Sequence, residues 1–129
     1  MNDYFLVTSA IYTSHGVFST DERLAQSLET YESIRRRFPN AVIVTIESGQ
    51  YLSEEVAAIL RQHSNHLIDL SEDPYLKDIY QKGYNENQCK NVCESYSMQQ
   101  IDRLGIQFDS SDRLAKITGR YIITDDFYT

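Results

Sequence analysis

The chain has no tryptophan, two prolines, five glycines and two cysteines among its 129 residues. Two cysteines are too few for a disulfide framework. Cys89 and Cys93 lie four apart on a predicted helix, where adjacent turns make a poor disulfide, and no Cys or His cluster beside them completes a zinc site. Both read as reduced, partly buried residues. His63 and His66 straddle a predicted helix-to-strand turn and lack a third ligand. Glycine is too sparse for the phosphate-cradling loops. No G-x-G-x-x-G follows the first apolar strand and no G-x-x-x-x-G-K-[ST] occurs anywhere, so dinucleotide oxidoreductases and P-loop NTPases lose their main support. No apolar run approaches the ~20 residues that span a bilayer, and the N-terminus has no basic-then-apolar signal pattern. The expectation is a cytoplasmic protein without a membrane span. Basic residues are also scarce, 12 against 19 acidic for a net charge of −7, which argues against a nucleic-acid partner. The one dense basic run, Arg35-Arg36-Arg37, reads as the last turn of a helix, where cations complement the dipole.

What is present is an alternation of strand and helix patterns. With 41% hydrophobic residues and no repeat, linker or low-complexity tract, residues 1–129 read as one domain. Residues 3–12 (DYFLVTSAIY) form a β-rich apolar run leading into the loop Thr13-Ser14-His15-Gly16. Ser19 and Glu22 make a capping box, followed by Leu24, Leu28, Tyr31, Ile34 and Phe38 at helical spacing. Pro39-Asn40 stops that helix before the continuous apolar strand 41–48. Ser53 with Glu54 and Glu55 opens a second amphipathic helix. Residues 66–71 form a third strand, and Asp73-Pro74 turns the chain. Helices follow over 75–82 and about 87–104, separated by the Gly83 region. A loop around Phe108–Asp112 leads to a last strand at 120–124. The order predicts an α/β fold, a three-layer α/β/α sandwich with a mainly parallel, Rossmann-like sheet. In such sheets ligands bind beyond the carboxyl ends of the strands. Here those ends carry Thr8-Ser9, Glu47-Ser48-Gly49, Ser71-Glu72-Asp73 and Thr124-Asp125-Asp126.

Adjacent acids at a strand end suit a hard divalent cation, Mg²⁺ or Mn²⁺, whose charge offsets that of a diphosphate. The segment GRYIITDDF resembles the stretch of GT-A-type, nucleotide-sugar-dependent glycosyltransferases where a strand runs into an acidic DxD-like motif. AVIVTIESG is similar to the second strand of those enzymes, with its terminal acid and small turn. The resemblance implies the nucleotide-binding half of such a domain, ending where its metal site begins. It implies a UDP- or GDP-linked sugar donor contacted by Thr8, Ser9 and Glu47, with Lys116 and Arg120 of KITGRY facing phosphates and Asp125 and Asp126 holding the cation. One departure is that Thr124 stands where the motif's first aspartate belongs, leaving the two acids adjacent. The expected function is a glycosyltransferase-like donor-binding domain, without independent catalysis if the second half of the fold is absent. The other readings are a non-catalytic α/β interaction module and a small phosphate-handling enzyme of flavodoxin-like architecture. Ten tyrosines suit an interface, and homo-oligomerisation is expected on either main reading. Gly83-Tyr84-Asn85, Gln88 and Asn91 read as turn and cap chemistry, and His15 as a solvated loop residue.

Overall fold

Leu6 and Val7 are neighbours in the first strand and both are fully buried, which requires cover on both faces of the sheet. The computed structural model, which describes residues 2–12, 19–82, 86–105, 107–119 and 121–124, supplies that cover. The order is β1 (Asp3–Ser9), α1 (Thr20–Arg37), β2 (Val42–Glu47), α2 (Glu54–His63), β3 (His66–Asp69), α3 (Pro74–Gln81), α4 (Glu86–Gln99), a 3-10 turn (Gln100–Leu104) and β4 (Arg113–Thr118). All four strands are parallel, in the spatial order β3-β2-β1-β4. The architecture is the expected α/β fold.

Odd-numbered residues of β1 and their partners pack with α1 and α2, in a cluster containing Phe5, Val7, Tyr31, Ile34, Ile43 and Leu60. Even-numbered residues pack with α3 and α4, in a cluster containing Leu6, Val44, Ile46, Ile68, Leu76 and Cys93. Each such side chain contributes ~1.5–3 kcal/mol when fully buried. The period of two therefore assigns one helix pair to each face.

Local chemistry sets the helix starts. Ser19 Oγ accepts from the Glu22 amide at 3.2 Å, while Glu22 Oε1 accepts from the Ser19 amide at 3.1 Å. Ser53 Oγ accepts from Val56 N, and Asp73 Oδ1 accepts from Tyr75 N and Leu76 N. Pro74 is the first helical residue of α3, where its missing N–H costs nothing. Arg35, Arg36 and Arg37 do occupy the last turn of α1. The predicted helix 87–104 is instead α4 plus the 3-10 turn, closed by Gly105 at φ 65°.

The last strand is the main correction. It spans Arg113–Thr118, and residues 121–124 form no strand. The β4 sequence RLAKIT alternates because β4 is an edge strand, with Ala115 and Ile117 toward α1 and Leu114 open to solvent at 54% exposure. The apolar run Tyr121-Ile122-Ile123 instead lies along α1. There Ser27 Oγ donates to Gly119 O at 3.0 Å, Thr30 Oγ1 donates to Tyr121 O at 2.7 Å, and Ser33 Oγ accepts from Ile123 N at 2.9 Å. Three hydroxyls spaced three apart on α1 thus take the place of a neighbouring strand. Ile123 is buried in the α1 cluster, while Tyr121 and Ile122 are exposed.

Replacing Ser33 by alanine leaves the buried Ile123 amide without an acceptor. The expected loss is ~1–3 kcal/mol of unfolding free energy, read from urea denaturation together with faster proteolysis after Gly119. Denaturation and cleavage indistinguishable from the parent protein would show that this segment does not depend on α1.

Candidate functional site

Between β1 and β4 the chain reverses direction across the sheet. β1, β2 and β3 run outward in sequence order, and the α3–α4 connection then returns to the far side of β1. Helices that leave such a reversal toward opposite faces open a crevice at the carboxyl ends of the two strands. A cavity of about 260 Å³ lies there, far above the ~10–15 Å³ that one water requires. Arg23 and Ser27 of α1 line one side and Lys90 and Glu94 of α4 the other, with Thr8 and Thr118 at the strand ends.

In the β1–β4 register Lys116 stands opposite Leu6, and Thr118 opposite Thr8. That places Lys116, Thr118 and Thr8 on the α4 face of the sheet. There Thr8 Oγ1 donates to Glu94 Oε1 at 3.1 Å, Lys116 Nζ forms an ion pair with the same oxygen, and Lys116 Nζ donates to Thr118 Oγ1 at 3.2 Å. On the α1 side Arg23 Nη1 donates to Ala10 O at 3.1 Å. Gly119 permits the close approach of α1, since a Cβ there would lie 3.0 Å from Ser27 Oγ and 3.2 Å from Thr8 O.

Of the residues the sequence singled out, Thr8, Ser9 and Lys116 come together on this cavity. Glu47 does not line it. Its side chain is fully buried on the α1 face, where Oε1 accepts from Ser9 Oγ at 2.5 Å and Oε2 accepts from Ile11 N at 3.0 Å and Gly49 N at 2.8 Å. A carboxylate with three donors from its own chain organises the β1 and β2 exits; it is not placed to meet a ligand directly. Burial, opposed by those hydrogen bonds, raises its pKa above the usual carboxylate range. Arg120, Asp125 and Asp126 lie outside the described residues, as do His15 and Gly83-Tyr84-Asn85.

The cavity also takes in Tyr80, Cys89 and Cys93. Tyr80 OH donates to Ser48 O at 2.8 Å and accepts from Cys93 Sγ at 3.5 Å, linking α3 and α4 to the end of β2. Both cysteines are buried and outside any disulfide, and burial pushes the Cys93 thiol up. A buried thiol of this kind packs as a small apolar group. Arg23, Lys90 and Glu94 were not anticipated. Nothing in the helical spacing of 86–99 marks Lys90 and Glu94 beyond an ordinary solvated face, because their neighbours at the cavity are distant in sequence.

Among the described residues no group of three or more His, Cys, Asp or Glu side chains could hold a metal ion. The one carboxylate among the described residues lining the cavity, Glu94, is already bound to a cation and a hydroxyl, so this part of the crevice does not by itself fit a divalent metal. No helix among the described residues is long and apolar enough to cross a membrane. Comparison with known proteins gives no match, whether to a family model, a curated protein or a solved structure.

Removing the Glu47 carboxylate strands two buried amides, so Glu47→Ala is expected to cost ~2–4 kcal/mol in denaturant unfolding. Glu47→Gln keeps a carbonyl for Ile11 N and Gly49 N and an amide that donates to Ser9, so its loss is expected to be smaller. The pH response separates the two forms. Because folding raises the Glu47 pKa, the folded chain holds that proton more tightly than the unfolded chain does. The contribution of this group to stability therefore falls as pH rises from the ordinary value of 4.5 through the folded value. The Gln variant should lack that part of the slope, and identical stability–pH profiles for parent and variant would contradict it.

Proposed function

We propose that the crevice between β1 and β4 binds the diphosphate-bearing part of a nucleotide-sugar donor, UDP- or GDP-linked, and that the chain is a glycosyltransferase-like donor-binding domain. The observation that carries this reading is the convergence of Thr8, Ser9 and Lys116 on one cavity at the reversal point of a parallel sheet, with Arg23 and Lys90 beside them. Cations and small hydroxyls at strand ends are the groups that phosphate oxygens require. Ile11 and Tyr80 supply apolar and aromatic lining against which a base or sugar face can rest. In this reading Arg120 contributes a cation for the phosphates, and Asp125 and Asp126 hold Mg²⁺ or Mn²⁺. Such an ion, when bound, would neutralise diphosphate charge. The chain's own part is to orient the phosphates through Lys116 and the Thr8 hydroxyl, while Ser9 Oγ and Ile11 N stay on Glu47 and fix the β1 exit.

A second reading rests on a different observation. The outer edge of β4 pairs with no strand among the described residues, and Leu114 of that strand is exposed. An open edge with an exposed apolar side chain is a template for strand addition. We propose that a second copy of the chain covers it, making the protein a homo-oligomer.

Thermal-shift titration with UDP- and GDP-sugars, with and without Mn²⁺, tests the donor reading. At a hundredfold excess over Kd a bound ligand adds about 2.7 kcal/mol, or several degrees in Tm. The shift should fall with Lys116→Ala and should lose its Mn²⁺ dependence in the Asp125→Ala, Asp126→Ala double variant. An unmoved melting temperature across every nucleotide and sugar nucleotide would sink the reading. For the oligomer, light scattering should report at least twice the 15.0 kDa chain mass; a monomer mass at all concentrations would refute it.

A further inference from the structure

Glu94 spends a single oxygen on both strand ends. Its Oε1 accepts from Thr8 Oγ1 at 3.1 Å and pairs with Lys116 Nζ. The donor at the end of β1 and the cation of β4 that face α4 are thus both held by one internal anion. We infer that Glu94 is a specificity-determining residue of the crevice, its carboxylate standing where an oxygen of an anionic ligand binds, so that only a ligand of high charge density displaces it. This inference rests on the crevice being a ligand site, but not on the ligand being a sugar nucleotide.

The geometry allows the exchange. Glu94 and Lys116 remain 41% and 34% exposed at the side chain, so water screens their attraction and its net strength is modest. Glu94 is held to the sheet by two contacts at the tip of a flexible side chain, and rotation about its χ angles releases both without moving α4. A carboxylate ligand would replace one monoanion by another and gain little. A diphosphate brings more charge and several acceptor oxygens, enough to serve Lys116 and Thr8 together and to reach Lys90, one turn before Glu94 on the same cavity wall. Glu94 therefore acts as a threshold: it leaves polyphosphates able to bind and weakens competition from monoanions.

The experiment uses inorganic pyrophosphate and acetate as probes, in calorimetric titrations of the parent chain and of Glu94→Gln. The Gln variant keeps an acceptor for Thr8 but removes the charge. It should bind pyrophosphate about tenfold more tightly than the parent, the size expected from losing a screened ion pair and a competing hydrogen bond. Acetate binding should rise by a larger factor than that, narrowing the preference for pyrophosphate. Lys116→Gln in the Glu94→Gln background should erase the gain. Should Glu94→Gln fold poorly, Glu94→Asp keeps the charge but shortens the reach, and part of the gain should appear. Equal or weaker pyrophosphate binding in the Gln variant, or none, overturns the inference. Sugar nucleotides that bind no better than pyrophosphate would defeat the donor reading instead, with the pyrophosphate comparison still deciding the role of Glu94.

Discussion

The buried carboxylate of Glu47 is the constraint on which the ligand edge of this sheet depends. A carboxyl taken fully out of water is tolerated only if its oxygens find donors. Here the donors are Ser9 Oγ, Ile11 N and Gly49 N, drawn from the exits of two adjacent strands. Meeting that demand pulls the two exits together. Ser48 N then donates to Ser9 O and Gln50 N to Tyr12 O, both at 2.8 Å, and Tyr12 pairs with Tyr51 in an isolated antiparallel bridge. The turn has room only for glycine, since a Cβ on Gly49 would lie 2.6 Å from Glu47 Oε2 and 2.7 Å from Tyr12 O. The result is a β1 exit tied toward β2, which leaves open the space beyond the carboxyl ends of β1 and β4.

That opening is what the topology turns into a cavity. α1 leaves on one face of the sheet and α4 covers the other, so neither fills the space above the junction of β1 and β4. Among the described residues, 121–124 do not line it, because α1 holds Tyr121 and Ile123 by Thr30 and Ser33. A serine–threonine stripe would look like a weakness in an amphipathic helix, as hydroxyls add little to an apolar core. Its use is to satisfy the backbone of a segment that has no strand partner. The same stripe brings α1 close enough that a Cβ at residue 119 would crowd Ser27 Oγ at 3.0 Å.

The two walls of the cavity differ in electrostatic character. The α1 wall contributes Arg23, whose guanidinium is bonded to the backbone at Ala10. The α4 wall contributes charges of both signs, with Glu94 compensating Lys116. A crevice that carries its own counter-ion keeps a cluster of cations together at modest electrostatic cost, and any anionic ligand then competes with that counter-ion. The Cys93 thiol and the Tyr80 hydroxyl beneath it are matched to each other and to Ser48 O, so the chemistry of the site resides at its rim.

The sequence by itself determined the elements whose signals are local. Capping at Ser19, Ser53 and Asp73, helical periodicity along α1, and doubly buried runs in β1 and β2 each depend on residues within a turn or a strand of one another, and they were enough for the α/β class and the parallel order. It failed at β4, where an edge strand alternates and so resembles a loop, while the apolar run 121–123 has the composition of a strand but hydrogen-bonds to a helix. Thr8 and Ser9 drew attention as a predicted strand end and Lys116 through the resemblance of KITGRY, and the structure places all three on one cavity. Only the tertiary structure decided that Glu47 turns inward to bind its own chain, and that Glu94 meets Thr8 from 86 residues away. The physical reason is that the partner of a charged group is chosen by topology: which strands are neighbours, and which face each helix covers, cannot be read from the residues adjacent to it.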